Sequence, residues 1–307
     1  MVSQHREGVM LSERSRELAE ATFGGSPQAI RYHYDVGHDF YRLWLDDSMT
    51  YSAAMWRTTG ETLAAAQHAK LDHHLSNVAL PAGGRLLDVG CGWGSLLYRA
   101  CQRADIAAAV GLTLSEDQAR YIEERGDPKV SVRRESWIDH EPSEPYDGIV
   151  SIGAFEHFAD PSQDADERLE VYRRFFQNCR VWLSPHGALS LQTIVYADMD
   201  ASEANKFIAD EIFPNAELPR PHELFRAADR IFEVASYRND RMDYARTCEV
   251  WLANLRRRRA VAVDVAGEEV VARYERYLML SAIGFRLGRI GLARLKLVPH
   301  RPRKASH

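Results

Sequence analysis

Hydrophobic and polar positions change their spacing twice along the chain. Over Thr62 to Val78, the apolar residues Leu63, Ala66, Leu71, Leu75 and Val78 recur at helical intervals and predict an amphipathic helix. After Pro81-Ala-Gly-Gly84 the pattern becomes a series of short apolar runs: Arg85 to Gly90, Ile106 to Leu112, Val130 to Arg133, Tyr146 to Ile152 and Ala188 to Ile194. Segments with helical spacing stand between them, at Ser95 to Gln102, Ser115 to Glu124 and Arg168 to Leu183. Strands alternating with helices predict a parallel sheet covered on both faces, a doubly wound α/β core. From Tyr196 to Pro221 the chain is polar and contains prolines. Beyond it the pattern predicts a short helix at Pro221 to Ala228, a strand at Ile231 to Tyr237, helices at Tyr244 to Arg258 and Glu268 to Ile283, and a last strand at Ile290 to Val298. These late segments read as an insertion over the sheet. The organisation is then an N-terminal helical cap at 1–80 and a core at 81–307, with the covering insertion around 196–286.

Composition narrows the class without naming a function. The 307 residues are 45% hydrophobic and 27% charged, as in ordinary globular proteins. A net charge of −5 argues against a nucleic-acid partner held through its phosphates. Met1 to Glu20 is too charged for a secretory signal, and the apolar stretches, such as Leu278 to Phe285, fall short of the roughly 20 residues that cross a bilayer. A soluble, cytoplasmic protein is expected. The cysteines, Cys91, Cys101, Cys179 and Cys248, form no CxxC pair and read as reduced thiols, and the histidines, including His73-His74, lack zinc spacing, so no metal is expected.

The most informative local feature is Leu86-Leu-Asp-Val-Gly-Cys-Gly-Trp-Gly-Ser95, a strand running through three alternate glycines into a helix. Glycine lets a ligand approach the backbone, and the helix start offers free N–H groups. The spacing Gly90-x-Gly92-x-Gly94 is not the GxGxxG of dinucleotide sites. With Asp88 at the strand end, it suits the amino-acid part of S-adenosylmethionine, whose ammonium an acid can meet. The second strand ends in Val110-Gly-Leu-Thr-Leu-Ser115 with no acid before Glu116, so a ribose would be held otherwise, with Gln118 the candidate.

Four segments together resemble the cyclopropane fatty-acid synthase family, which includes the mycolic-acid cyclopropane and methyl transferases. They are His33-Tyr-Asp-Val-Gly-His-Asp-Phe-Tyr41 with Met49-Thr-Tyr-Ser52, the glycine turn, Gly111-Leu-Thr-Leu-Ser-Glu-Asp-Gln118, and Ser151-Ile-Gly-Ala-Phe-Glu-His-Phe158. Further matches are Phe213-Pro214 with Glu217-Leu-Pro219, Asp243-Tyr244, and Gly284 to Gly291. The resemblance implies a class I, Rossmann-like methyltransferase. It implies S-adenosylmethionine held by Tyr51 and Ser52, by Asp88, Gly90, Cys91, Gly92 and Gly94, by Thr113, Leu114 and Gln118, and by Trp137 against the adenine.

The family's chemistry adds a methyl group to an alkene, a poor nucleophile that requires close range and a dry, oriented pocket. A carbocation follows, and proton loss from the new methyl closes a cyclopropane, with bound bicarbonate as the base. Of the groups that hold this anion in the family, Glu156, Ile194 and Tyr244 are present. Ala53 stands where the family has cysteine, Gln192 where it has histidine, and Ser281 at another cysteine position. Bicarbonate stays open as a ligand, and the expected outcome differs from bicarbonate-assisted cyclopropanation. The catalytic candidates are Glu156, His157, Gln192 and Tyr244. The acceptor is expected to be a hydrophobic small molecule or acyl chain, for which Phe207, Ile208, Ile212 and Phe213 are candidate tunnel residues. Two alternatives stand beside this: N-methylation of a lipophilic amine, which would use Glu156 without bicarbonate, and a non-catalytic cofactor- or lipid-binding homologue. Arg256 to Arg259 and Arg301 to Lys304 read as solvated surface, with contact to an acyl carrier or a membrane surface as the sharper alternative. The oligomeric state is left open.

Overall fold

The computed structural model describes residues 37–103, 105–199 and 217–300. In chain order the elements are α1 (His38–Arg42), α2 (Leu63–Val78), β1 (Gly84–Val89), α3 (Ser95–Arg103), β2 (Ile106–Leu112), α4 (Glu116–Arg125), β3 (Val130–Arg133) and β4 (Tyr146–Ile152). A short 3-10 turn at Phe155–His157 follows. Then come α5 (Ala165–Trp182), β5 (Leu183–Tyr196), α6 (Pro221–Ala228), β6 (Phe232–Asn239), α7 (Arg241–Arg257), α8 (Arg259–Ala266), α9 (Glu268–Leu287) and β7 (Ile290–Pro299). Part of the His33 to Tyr41 motif, the segment holding Phe207, Ile208, Ile212 and Phe213, and Arg301 to Lys304 lie outside the described residues.

The seven strands form one sheet in the order β3-β2-β1-β4-β5-β7-β6. Strands β1 to β5 pair in parallel, as the strand and helix alternation predicts. The expected insertion over the sheet needs correction at its strands: β7 runs antiparallel to β5, and β6 antiparallel to β7. The late strands therefore extend the sheet rather than crossing over it, and the helices α7 to α9 between them do the covering. Side-chain alternation gives a strand its faces but not its direction, so periodicity alone left this edge undecided. Pairing on both sides also lengthens β5 beyond its expected limits.

Helix starts follow their capping chemistry. The Thr62 hydroxyl accepts from Ala65 N–H ahead of α2, Ser115 does the same for Gln118 ahead of α4, and Asp164 with Glu167 forms a capping box that opens α5 three residues before the expected start. The run Arg256 to Arg259 falls at the junction of α7 and α8. Arg256, Arg257 and Arg258 are exposed, while Arg259 turns to Glu268 and Glu275.

Two apolar clusters sandwich the sheet. On one face Leu71, Val78, Leu96, Leu97 and Ile122 pack on Leu86, Ala109 and Val150. On the other, Phe155, Phe158, Tyr172, Phe175 and Phe176 pack on Leu87, Ile149, Leu189 and Leu295. A third cluster brings α1, α7 and α9 to Trp93 and Ile194, at the carboxyl ends of β1 and β5. Open α/β sheets bind ligands at those strand ends. Among the described residues no helix is long and apolar enough to cross a membrane.

Candidate functional site

The glycine turn leaves the end of β1 with all three glycines at positive φ: 82° at Gly90, 54° at Gly92 and 81° at Gly94. Gly90 and Cys91 N–H groups both donate to Leu112 O, at 3.0 and 2.9 Å, which ties the turn to the end of β2. The Cys91 side chain packs against Gly111, and burial pushes its thiol pKa well up, so its place in the turn is a matter of main chain rather than of a reactive sulfur.

Beneath the turn lies Asp88, buried, with its Oδ1 lacking a hydrogen-bond partner among the described residues. Burial raises its pKa to about 7, against the pull of the Lys70 charge. Lys70, itself buried on α2, donates from Nζ to Ser52 Oγ at 2.8 Å. Burial, assisted by the Arg294 charge, lowers Lys70 to about 7, while Asp46 and Asp88 oppose that shift. Lys70 thus holds one cofactor candidate, Ser52, by a hydrogen bond, and its charge acts on another, Asp88. Tyr51 stands in an aromatic group, with ring centroids 5.2 Å from Tyr41, 5.3 Å from Trp44 and 5.3 Å from Trp251.

At the end of β2, Thr113 Oγ1 donates to Gln118 Oε1 at 2.7 Å and accepts from Ser115 N–H at 3.1 Å. This orients the Gln118 amide in a place where the strand offers no carboxylate. Leu114, between them, is half-buried. Trp137 follows β3 and is buried against Phe158 and Phe175, with centroids 5.1 and 5.4 Å away.

Glu156 sits in the turn after β4, buried, and its Oε1 accepts from Ile194 N–H at 2.6 Å. Its Oε2 has no hydrogen-bond partner among the described residues. Burial raises its pKa to about 7, with the Ile194 N–H acting in the opposite direction. Burial drops the neighbouring His157 to about 4, so its imidazole is neutral at pH 7. Tyr244 on α7 stacks on Phe285 with centroids 4.5 Å apart and stands edge-on to Trp251. Gln192 is buried in a polar network instead of facing open space: its Oε1 accepts from Arg294 Nε at 2.7 Å and meets His74 Nε2 at 3.5 Å.

Lys70, His74 and Arg294 escape a reading of the sequence for motifs. A signal existed for the first two. Gln67, Lys70 and His74 fall on one face of α2 at intervals of three and four, and all three are buried. For Arg294 the signal was weaker: it is one of two cations, with Lys296, inside the otherwise apolar run Ile290 to Val298, and the sequence does not say which of the two is buried and requires a counter-charge. Among the described residues no group of three or more His, Cys, Asp and Glu is arranged to hold a metal.

Comparison with known proteins gives the chain's family and its structural neighbours. The family model for mycolic acid cyclopropane synthetase matches residues 25–295. Cyclopropane mycolic acid synthase 2 of Mycobacterium leprae is 36% identical over 272 residues, covering 82% of this chain and 87% of that protein. A mycolic acid cyclopropane synthase solved with SAH and CTAB superposes with a TM-score of 0.80 at 34% identity, covering 89% of this chain and 98% of that one. A coclaurine N-methyltransferase bound to N-methylheliamine and SAH shares the fold, with a TM-score of 0.74 at 20% identity and coverage of 97% and 89%.

Proposed function

We propose that this chain, which belongs to the mycolic acid cyclopropane synthetase family, methylates an alkene carbon of a hydrophobic, lipid-like or natural-product acceptor. It is an S-adenosylmethionine-dependent methyltransferase with a Rossmann-like class I fold. The observation that carries the reading is the open glycine turn above a buried Asp88 whose Oδ1 awaits a donor, coupled through Lys70 to Ser52. An ammonium is such a donor, and an added Cβ at Gly92 would meet nothing within 4 Å, so the residues present fit the cofactor. Tyr51, Ser52, Asp88, the main chain from Gly90 to Gly94, Thr113, Leu114, Gln118 and Trp137 would hold it. When bound, S-adenosylmethionine supplies an electrophilic methyl group.

The remaining work belongs to the protein. The aromatic rings of Tyr51, Trp93, Tyr244 and Trp251 exclude water and present π faces that favour positive charge on an acceptor. Glu156 Oε2 holds or takes a proton: with a pKa of about 7, the carboxylate is neither locked as an anion nor permanently neutral. The neutral His157 beside it adds no charge.

Bicarbonate fits poorly. Ala53 has no polar side-chain atom, and its carbonyl oxygen accepts from Arg294. The Ile194 N–H is taken by Glu156, and the Gln192 side-chain Oε1 by Arg294 and His74. Glu156, rather than that anion, is therefore the proton acceptor. The same unpartnered oxygen favours one second reading, N-methylation of a lipophilic amine whose N–H it would receive.

Incubation with methyl-labelled cofactor and a lipid extract, followed by mass analysis, tests the proposal. Label on carbon of an unsaturated chain supports it, label on an amine selects the second reading, and cofactor binding without label in any acceptor refutes both. The Glu156→Gln variant is expected to bind SAH normally yet lose about 100-fold or more in rate, within the usual range for a general base. The wild-type rate should rise as pH passes through about 7, where Glu156 loses its proton.

A further inference from the structure

Tyr51 and Ser52 lie on a strap, residues 49–57, that belongs to no helix or strand. One main-chain bond, from Met55 N–H to Ala66 O at 3.0 Å, ties it to α2, and the other long-range contacts come from side chains. Gln67 Nε2 donates to Thr50 O and Ser52 O at 3.3 and 2.9 Å. The Ala54 N–H and Trp56 Nε1 both donate to Thr247 Oγ1, at 3.1 and 3.0 Å. The remaining carbonyl contacts come from Arg294, a wholly buried residue of β7.

We infer that Arg294 is a positioning residue that fixes this strap, and with it Tyr51 and Ser52, against the sheet. The inference rests on the reading that Tyr51 and Ser52 hold the cofactor. The guanidinium has five N–H donors in a rigid plane, and the structure gives it five acceptors. Nε donates to Gln192 Oε1 at 2.7 Å, Nη1 to Asp240 Oδ2 at 2.6 Å and Asp243 Oδ2 at 3.2 Å, and Nη2 to Ala53 O at 3.4 Å and Ala54 O at 2.8 Å. The two aspartates compensate the buried charge, so the fork is free of the penalty an isolated cation would carry. What remains is geometric. One planar group joins the strap, the start of α7 and strand β5, and its β5 partner Gln192 stands two residues before Ile194, whose N–H holds Glu156. The cofactor side and the acceptor side of the site are thus referred to the same guanidinium. Lysine would keep the charge but has three donors on a single nitrogen and no fork, so it cannot reach both pairs of acceptors at once.

Calorimetry of SAH binding tests this on four proteins: the wild type, Arg294→Lys, Thr247→Val and Ser52→Ala. Arg294→Lys, confirmed folded by circular dichroism, is expected to weaken SAH at least tenfold. Hydrogen exchange at the Ala54 and Met55 amides, which donate to Thr247 Oγ1 and Ala66 O, should accelerate, while amides in β1 and β4 stay protected. A lowered melting temperature with unchanged SAH affinity and unchanged exchange in the strap would overturn the inference, because a purely structural arginine moves only stability. If Arg294→Lys does not fold, Thr247→Val decides: it loosens the strap from α7, and unaltered SAH affinity there would mean that strap placement does not govern binding. Ser52→Ala separates the two levels. If its affinity equals the wild type, the cofactor reading of the strap fails; if it weakens while Arg294→Lys does not, only the arginine's role is lost.

Discussion

Replacing single glycines of the turn by alanine separates the needs of the fold from those of the ligand. Gly92 has a φ of 54°, and a Cβ built there meets nothing within 4 Å. Gly92→Ala therefore carries only the left-handed backbone penalty, about 1–2 kcal/mol. Gly90 has a φ of 82°, and its Cβ would stand 2.4 Å from the Ala154 Cβ, two residues beyond the neighbouring strand β4. That contact involves no flexible side-chain tip, so overpacking of about 1–3 kcal/mol adds to the backbone penalty and brings Gly90→Ala to about 2–5 kcal/mol. Thermal melting with and without SAH gives the two quantities. Without ligand, Gly90→Ala should melt well below Gly92→Ala. With ligand the contrast concerns Gly92: a methyl group in the open side of the turn obstructs the approach of the cofactor and should weaken SAH about tenfold or more, roughly 1.4 kcal/mol. At an SAH concentration 100 times the wild-type Kd, ligand stabilisation is about 2.7 kcal/mol for the wild type and about 1.4 kcal/mol for a variant weakened tenfold. A Gly92→Ala protein that gains as much from SAH as the wild type would refute the assignment of the turn as the ligand cradle. A Gly90→Ala protein as stable as Gly92→Ala would refute the packing argument.

Lys70 gives a pH signature. Its folded pKa of about 7 lies below its ordinary value of 10.5, so between those limits the unfolded chain binds more protons, and this residue's contribution to stability rises with pH across that window. Asp88, raised from 3.8 to about 7, acts in the opposite sense between those values, because there the folded chain binds more protons and stability falls as pH rises. Lys70→Met should lose the relative gain above pH 7, and melting curves from pH 6 to 9 that run parallel to the wild type would contradict the buried-charge account. Phe176 is fully buried among Phe155, Phe175 and Phe232, and Phe176→Ala should cost about 3–5 kcal/mol in chemical denaturation.

What could be read from the sequence were the features whose cause is local. The turn from Asp88 to Gly94 is legible because a left-handed backbone and ligand access both require glycine wherever the chain folds. The parallel core from β1 to β5 is legible because apolar runs and helical spacing alternate regularly. Glu156, Tyr51 and Ser52 could be singled out through the resemblance of whole segments, although nothing in their own spacing shows what faces them. Only the tertiary structure decided the direction of β6 and β7, because alternating side chains serve either direction equally. It also decided the burial of Lys70, His74 and Arg294, which arises when α2 settles on β4 and β5 and when β7 pairs with β5. A buried charge acquires its meaning from its partners, and those of Arg294 come from residues 53, 54, 192, 240 and 243, brought together by folding alone.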